Sequence, residues 1–196
     1  MTAPPLLVCL DLERSFVEDG PLRAPHCARA LLECARILAF ARARRWGVAH
    51  CYLQRFEEPF CTGRQSRPIP GFEPRVRETV IQRRTFSAYG HPAFADLLEA
   101  APGRSALVAT LSASMTFVAT AFDAFEHDHR LIVAAEAHAA QPGLNASADQ
   151  HEAVARDIAA RLGFPAMTRF APDTASTSIW PMLSTGGEPD ETNRKA

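Results

Sequence analysis

The chain has 196 residues, 22% of them charged, with a formal net charge of −1. That balance argues against a nucleic-acid surface as its main business, and no stretch approaches the roughly 18 uninterrupted apolar residues of a membrane span. The length suits one domain with a full core, expected over residues 1–183, with a polar, disordered tail over 184–196.

No basic n-region or cleavage site is read near Met1, so no secretory signal is expected. Five cysteines, Cys9, Cys27, Cys34, Cys51 and Cys61, form no CxxC pair. The first four fall in predicted strands or helices, where cysteine behaves as a small buried hydrophobe. A reduced, cytoplasmic protein is the expectation.

The run Pro4-Pro5-Leu6-Leu7-Val8-Cys9-Leu10 is short and apolar, and it ends on a carboxylate, Asp11. It reads as a central, buried strand from about Leu6 to Asp11. The carboxyl edge of an open α/β sheet is where sites are built, so Asp11 is the anchor of the functional reading. A turn follows at Glu18-Asp19-Gly20-Pro21, then a long helix over roughly Pro25 to Arg45. Leu31, Cys34, Ala35, Leu38 and Ala41 recur at helical spacing, while Arg42, Arg44 and Arg45 load the end that favours cations. Gly47 is expected to stop this helix, and Val48 to Leu53 is the second strand.

Gln54 to Glu78 is irregular and carries Arg55, Arg64, Arg67, Arg75 and Arg77. A loop this long in a compact domain is usually functional or mobile. Thr79 to Gln82 is the third strand, running into Arg83. A short helix is expected at Pro92 to Ala100, and Pro102-Gly103 turns the chain. Ser105 to Thr110 is the fourth strand, Ser114 to about His127 a helix, and Leu131 to Ala137 the fifth strand. Ser147 and Gln150 form a capping-box pattern ahead of a helix reaching Leu162, closed by Gly163. Ala166 to Phe170 completes a possible sixth strand. Alternating βα units imply a three-layer α/β/α sandwich, Rossmann-type, with a mostly parallel sheet of five or six strands.

Asp11, Arg83 and the turn Thr110-Leu111-Ser112-Ala113-Ser114-Met115-Thr116 follow three different strands, and in a parallel sheet all three open on one edge. Their order resembles the isochorismatase-like hydrolase superfamily, which includes isochorismatases, nicotinamidases and N-carbamoyl amidohydrolases. The matching pieces are Leu-Asp-Leu-x-x-x-Phe ending at Phe16, the Arg83-x-x-x-Ser-Ala-Tyr block, and Leu107-Val108-Ala109 leading to Thr120-Ala121-Phe122-Asp123-Ala124. The resemblance spans about Leu6 to Phe170. It implies a catalytic trio at Asp11, Arg83 and Thr116. In the family's cysteine hydrolases the last two positions hold lysine and the cysteine nucleophile. Phe16, Arg55, Tyr89, Ser112 and Met115 are the expected substrate-binding residues.

The replacements change the chemistry. A cysteine at a helix start ionises near neutral pH, whereas a threonine hydroxyl needs an adjacent base. Arginine stays protonated and cannot be that base. Covalent amide hydrolysis, assisted by threonine, is therefore the least favoured route. The resemblance implies another: family isochorismatases cleave a vinyl ether without the cysteine, their aspartate protonating a substrate carbon. That asks for one carboxyl with a raised pKa and cations to hold an anionic substrate. Arg83 can orient Asp11 or grip a substrate carboxylate, although its charge works to lower the pKa of Asp11. The alternative is a catalytically silent relative serving as a binding or assembly subunit.

His127 and His129 sit at a helix end, where the dipole suffices to explain them. The nicotinamidase metal motif is missing after strand two, which reads Gln54-Arg55-Phe56. No metal and no other cofactor are expected. The expected partners are a small molecule and, by family resemblance, further copies of the chain as a dimer or tetramer. Ile179-Trp180-Pro181-Met182-Leu183 is a candidate contact arm.

Overall fold

A computed structural model of the chain describes residues 4–55 and 67–167. Cys61, Arg64, the last part of the sixth expected strand, the 179–183 arm and the 184–196 tail lie outside the described residues. Strands β1 (Leu6–Leu10), β2 (Gly47–Leu53), β3 (Thr79–Arg83), β4 (Ser105–Thr110), β5 (Arg130–His138) and β6 (Ala166–Met167) alternate with helices α1 (Ala28–Ala43), α2 (Pro92–Ala100), α3 (Val118–Glu126) and α4 (Ala148–Arg161). The strands form one sheet in the order β3-β2-β1-β4-β5-β6, with every pair parallel.

The period-2 alternation of a strand explains the layers. Leu7 and Cys9 of β1 pack with Cys34, Ile37, Leu38 and Ala41 of α1. Leu6, Val8 and Leu10 point the other way, toward Phe94 and Leu98 of α2, Ala121 and Ala124 of α3, and Ala155 and Ala159 of α4. The β1 strand is buried on both faces, as its unbroken apolar run requires. Among the described residues no helix is long and apolar enough to cross a membrane.

Helix ends depart from the sequence reading in a consistent way. Arg45, not Gly47, stops α1: it takes φ +57, and Trp46 N–H reaches back to the Ala41 carbonyl at 2.9 Å. This is the 6→1 bond of a Schellman end. Gly47 instead opens β2. Asp128 (φ +54) ends α3 in the same way, and Gly163 (φ +75) ends α4 as expected. The capping box at Ser147 and Gln150 is present. The helix expected from Ser114 begins instead with a π-turn, Ala113–Phe117, before α3. Phe117 N–H bonds the Ser112 carbonyl at 3.0 Å, one residue wider than an α-turn.

Arg42 does not merely serve the helix end. Its Nε donates to Glu78 Oε1 at 2.7 Å and its Nη2 to Oε2 at 2.8 Å. His50 Nε2 meets the same Oε2 at 2.9 Å, as does the Arg75 amide at 2.8 Å. Burial pushes the Glu78 carboxyl up, but Arg42, the Arg75 amide and His50 outweigh it and bring its pKa down to about 2. This knot ties the start of β3 to α1 and β2. Cys9, Cys34 and Cys51 are buried free thiols, and Cys27, just ahead of α1, is free and only half-buried.

Candidate active site

Register brings the three strand ends together. Leu10 lies beside both Cys51 and Thr110, and Leu53 beside Arg83. Asp11 therefore leaves β1 beside the first turn after β4 and on the same edge as the last residue of β3, one strand away across β2. Its backbone turns sharply, with φ +57, a region aspartate tolerates better than most residues because its short polar side chain bonds locally. The Asp11 amide still reaches the Cys51 carbonyl at 2.9 Å. A non-glycine residue held in this conformation at a sheet edge is the kind of outlier that clusters at functional sites.

Arg83 Nη2 donates to Asp11 Oδ1 at 2.5 Å, and both side chains are fully buried. Arg83 Nη1 is held by the Thr85 carbonyl at 2.8 Å, which fixes the guanidinium. The Thr116 side chain lies in the π-turn, buried. Its hydroxyl is close enough to lower the pKa of the Asp11 carboxyl, although no hydrogen bond of ordinary geometry joins them. Asp11 Oδ2 and Thr116 Oγ1 are both buried and without a hydrogen-bond partner. Burial pushes the Asp11 pKa up; Arg83, the Thr116 hydroxyl and the Leu53 amide push it back without cancelling the rise. The net direction differs from the effect of Arg83 alone, because complete removal from water is the larger influence.

The π-turn is pinned from both ends. The Ser112 hydroxyl accepts from the Thr116 amide at 3.4 Å. The Thr120 hydroxyl donates to the Thr116 carbonyl at 2.7 Å and accepts from the Ala88 amide at 3.0 Å. Thr116 is thereby placed by the segment that follows β3.

The other expected residues divide. Ser112 is buried within the turn, and Met115 is half-buried against the α1-side core. Phe16 is fully buried in that same core. Arg55 stacks its guanidinium over Phe86, 5.4 Å from the ring centroid, and reaches the Arg84 carbonyl at 3.4 Å. Tyr89 is engaged on the other side of the sheet: its Oη is 2.7 Å from His129 Nδ1, and its ring meets Phe94 and His127. His129 is thus a buried partner of Tyr89, not just a charge at a helix end.

Sequence reasoning passed over Glu13. It is fully buried two residues beyond Asp11 and accepts the Leu53 amide at 3.0 Å. The signal was a second acid in Asp11-Leu12-Glu13, just past the end of the apolar strand. Cys51 is the thiol beside the pair, and burial pushes its pKa up to about 12, so it holds its proton.

Comparison with known proteins places this geometry in a family. Residues 5–169 match the Isochorismatase domain. Maleamate amidohydrolase of Pseudomonas putida is 28% identical over 178 residues, covering 81% of this chain and 81% of that protein. An isochorismatase-like hydrolase from Alkaliphilus metalliredigens has a similar fold, with TM-score 0.73, 17% identity, and coverage of 91% of this chain and 99% of that one. N-carbamoylsarcosine amidase from Thermoplasma acidophilum is similar in fold at TM-score 0.65 and 19% identity, over 83% of this chain and 95% of that one. A domain match over most of the length, on a sheet whose strand ends gather an acid, a cation and a helix-start hydroxyl, shows that this chain belongs to the isochorismatase family of hydrolases.

Proposed function

We propose that the chain is a small-molecule hydrolase that works through Asp11 without a covalent intermediate, on an anionic substrate of the vinyl-ether type. The observation that supports this best is the division of the Asp11 carboxyl. Oδ1 is taken by Arg83 at 2.5 Å, while Oδ2 is buried and has no hydrogen-bond partner. An acid with one oxygen anchored and the other free is oriented to deliver a proton from the free oxygen. Burial keeps that proton on the carboxyl above the ordinary aspartate range.

In this route the proton moves from Asp11 to the terminal vinyl carbon, whose C=C electron pair forms the new C–H bond. The resulting oxocarbenium ion is captured by water, which loses a proton to Asp11. The hemiketal then collapses: its hydroxyl proton passes to the ether oxygen, and the C–O bond breaks with its electron pair going to that oxygen, giving a 2-oxo acid and an alcohol. The Thr116 hydroxyl, close to the Asp11 carboxyl, is the group that would position the water. Since Asp11, Arg83 and Thr116 are only 0–2% exposed, turnover requires the layer above them to open.

An amide route analogous to the name of the Pseudomonas relative would need Thr116 as nucleophile and Asp11 as its base. It is disfavoured because the hydroxyl carries its proton and Arg83 cannot remove it. A second reading, a silent subunit, is favoured by the complete burial of the pair. Assay of isochorismate, maleamate and N-carbamoyl amides, with Asp11→Asn as control, separates them. Turnover lost in Asp11→Asn supports the hydrolase. Thermal stabilisation by a ligand without turnover supports the silent subunit.

A further inference from the structure

A cavity of about 520 Å³ opens at the carboxyl end of β5, and neither Asp11, Arg83 nor Thr116 lines it. Its walls include Arg29 of α1, Glu136 and His138 of β5, and Asp149, Glu152 and Arg156 of α4. The α4 residues are spaced by three and then four positions, so they share one face of the helix.

His138 carries an unpartnered ring nitrogen. Its side chain is 2% exposed. Nδ1 lies 3.1 Å from the Ala134 carbonyl, which only accepts, so Nδ1 carries the proton and Nε2 is a bare acceptor. Nε2 has no hydrogen-bond partner. Facing it, 4.0 Å away, is another acceptor, the Glu152 carboxylate. Burial lowers the imidazole pKa and so disfavours the charged ring, against the pull of Glu152. Two acceptors opposed at a cavity wall call for a donor brought from outside.

The surrounding charges narrow its chemistry. Among the described residues no three His, Cys, Asp or Glu side chains are placed to hold a metal ion. An ammonium group suits the position, since it is compact and carries three donors. Arg29 is committed to Glu136 at 2.6 Å. Arg156 makes no ion pair among the described residues, and it stands one helical turn from Glu152, about 6 Å along the axis. Its guanidinium matches a carboxylate. We propose that this cleft binds a small zwitterion with a primary ammonium and a carboxylate on a short chain. The ammonium bridges His138 Nε2 and Glu152, and the carboxylate lies on Arg156. The site stands apart from the chemistry proposed for Asp11 and is tested without it.

The test uses the full chain with ¹⁵N-labelled histidine. Long-range ¹H–¹⁵N spectra follow the His138 ring nitrogens during titration with 4-aminobutyrate, and propylamine and butyrate serve as single-charge probes. The expected result is a saturable upfield shift of the unprotonated Nε2 at millimolar ligand, with weaker responses to the single-charge probes. Glu152→Gln and Arg156→Met should each weaken the response by ~10-fold or more, as loss of a charge-assisted hydrogen bond does. Both positions are partly or fully exposed, so these variants avoid the folding risk of replacing His138. A His138 signal that never moves, that moves as readily in either variant as in the wild type, or that responds to propylamine as strongly as to 4-aminobutyrate overturns the proposal. So does a response seen only with zinc.

Discussion

Arg83 Nη2 and Asp11 Oδ1 are joined across 2.5 Å in a place that neither side chain shares with solvent. Breaking such a pair from one side leaves an uncompensated buried charge or a stranded donor. Arg83→Met is therefore expected to lower stability by about 3–5 kcal/mol. Asp11→Asn should do comparable harm, and asparagine tolerates the left-handed backbone, so the effect reports the lost carboxyl and not backbone strain. The double substitution Asp11→Asn/Arg83→Met should lose less than the sum, by about 2 kcal/mol. Urea unfolding of the four proteins measures this. Simple additivity would show that the two side chains do not act as a unit.

The pH dependence of turnover follows from the same pair. Asp11 must be protonated to act as an acid, and burial raises its pKa. Activity is then full below the raised value and falls as pH rises through it. Arg83 and the Thr116 hydroxyl both hold the pKa down. Arg83→Met should move the alkaline limb of kcat/KM to higher pH, and Thr116→Val should move it the same way by less. A limb that moves to lower pH in either variant contradicts the assignment.

Acid stability is set by a different cluster. The Glu78 pKa is brought from 4.5 down to about 2 in the folded protein. A depressed acid contributes stability that is present above its unfolded pKa and is lost as pH falls toward the folded value. His50 works in the same direction. Its pKa is lowered from 6.5 by burial, so the unfolded chain takes up a proton first as pH drops. The urea midpoint should begin to fall below about pH 6.5 and drop more steeply between about pH 4.5 and 2. Glu78→Gln should lower stability at neutral pH and flatten the acid limb.

Much of this was readable in the residues. The unbroken apolar run of β1 announced a strand buried on both faces, and the Ser147–Gln150 pair announced the start of α4. The gathering of Asp11, Arg83 and the Thr116 turn on one sheet edge followed from parallel topology alone. Other features depend on tertiary context. Arg45 and Asp128 adopt positive φ where glycine was the natural expectation, because Schellman bonds and packing hold them there. The π-turn depends on Ser112 and Thr120 reaching particular backbone groups, which no periodicity encodes. Tyr89 carried a motif position, yet its hydroxyl is 2.7 Å from His129, a residue forty positions away. The sign of the Asp11 shift weighs burial against a neighbouring cation, and only the fold fixes the burial.

The family's sulfur chemistry offers a test of the register. Thr116→Cys with Arg83→Lys would place at these positions the residue types that the family resemblance assigns to its cysteine hydrolases. If position 116 faces Asp11 as the geometry has it, the double variant should acquire slow amidase activity on maleamate or N-carbamoyl amides. Intact-mass spectrometry should show a transient acyl adduct, and peptide mapping should place it on the peptide that carries the Thr116→Cys substitution. Cys51 should stay unmodified, since its pKa is about 12. Neither activity nor adduct in a folded variant would count against the alignment of Thr116 with the nucleophile.

In the proposed hydrolysis Asp11 supplies the proton and no enzyme-bound intermediate forms. Isochorismate turnover in ¹⁸O-enriched water by the wild type and Asp11→Asn tests this. Wild-type turnover is expected, with an alcohol product free of ¹⁸O because water attacks the vinyl carbon, and a rate lowered about 10²–10⁴-fold in Asp11→Asn. No turnover by the wild type, an equal rate in the variant, or ¹⁸O in the alcohol product would contradict it.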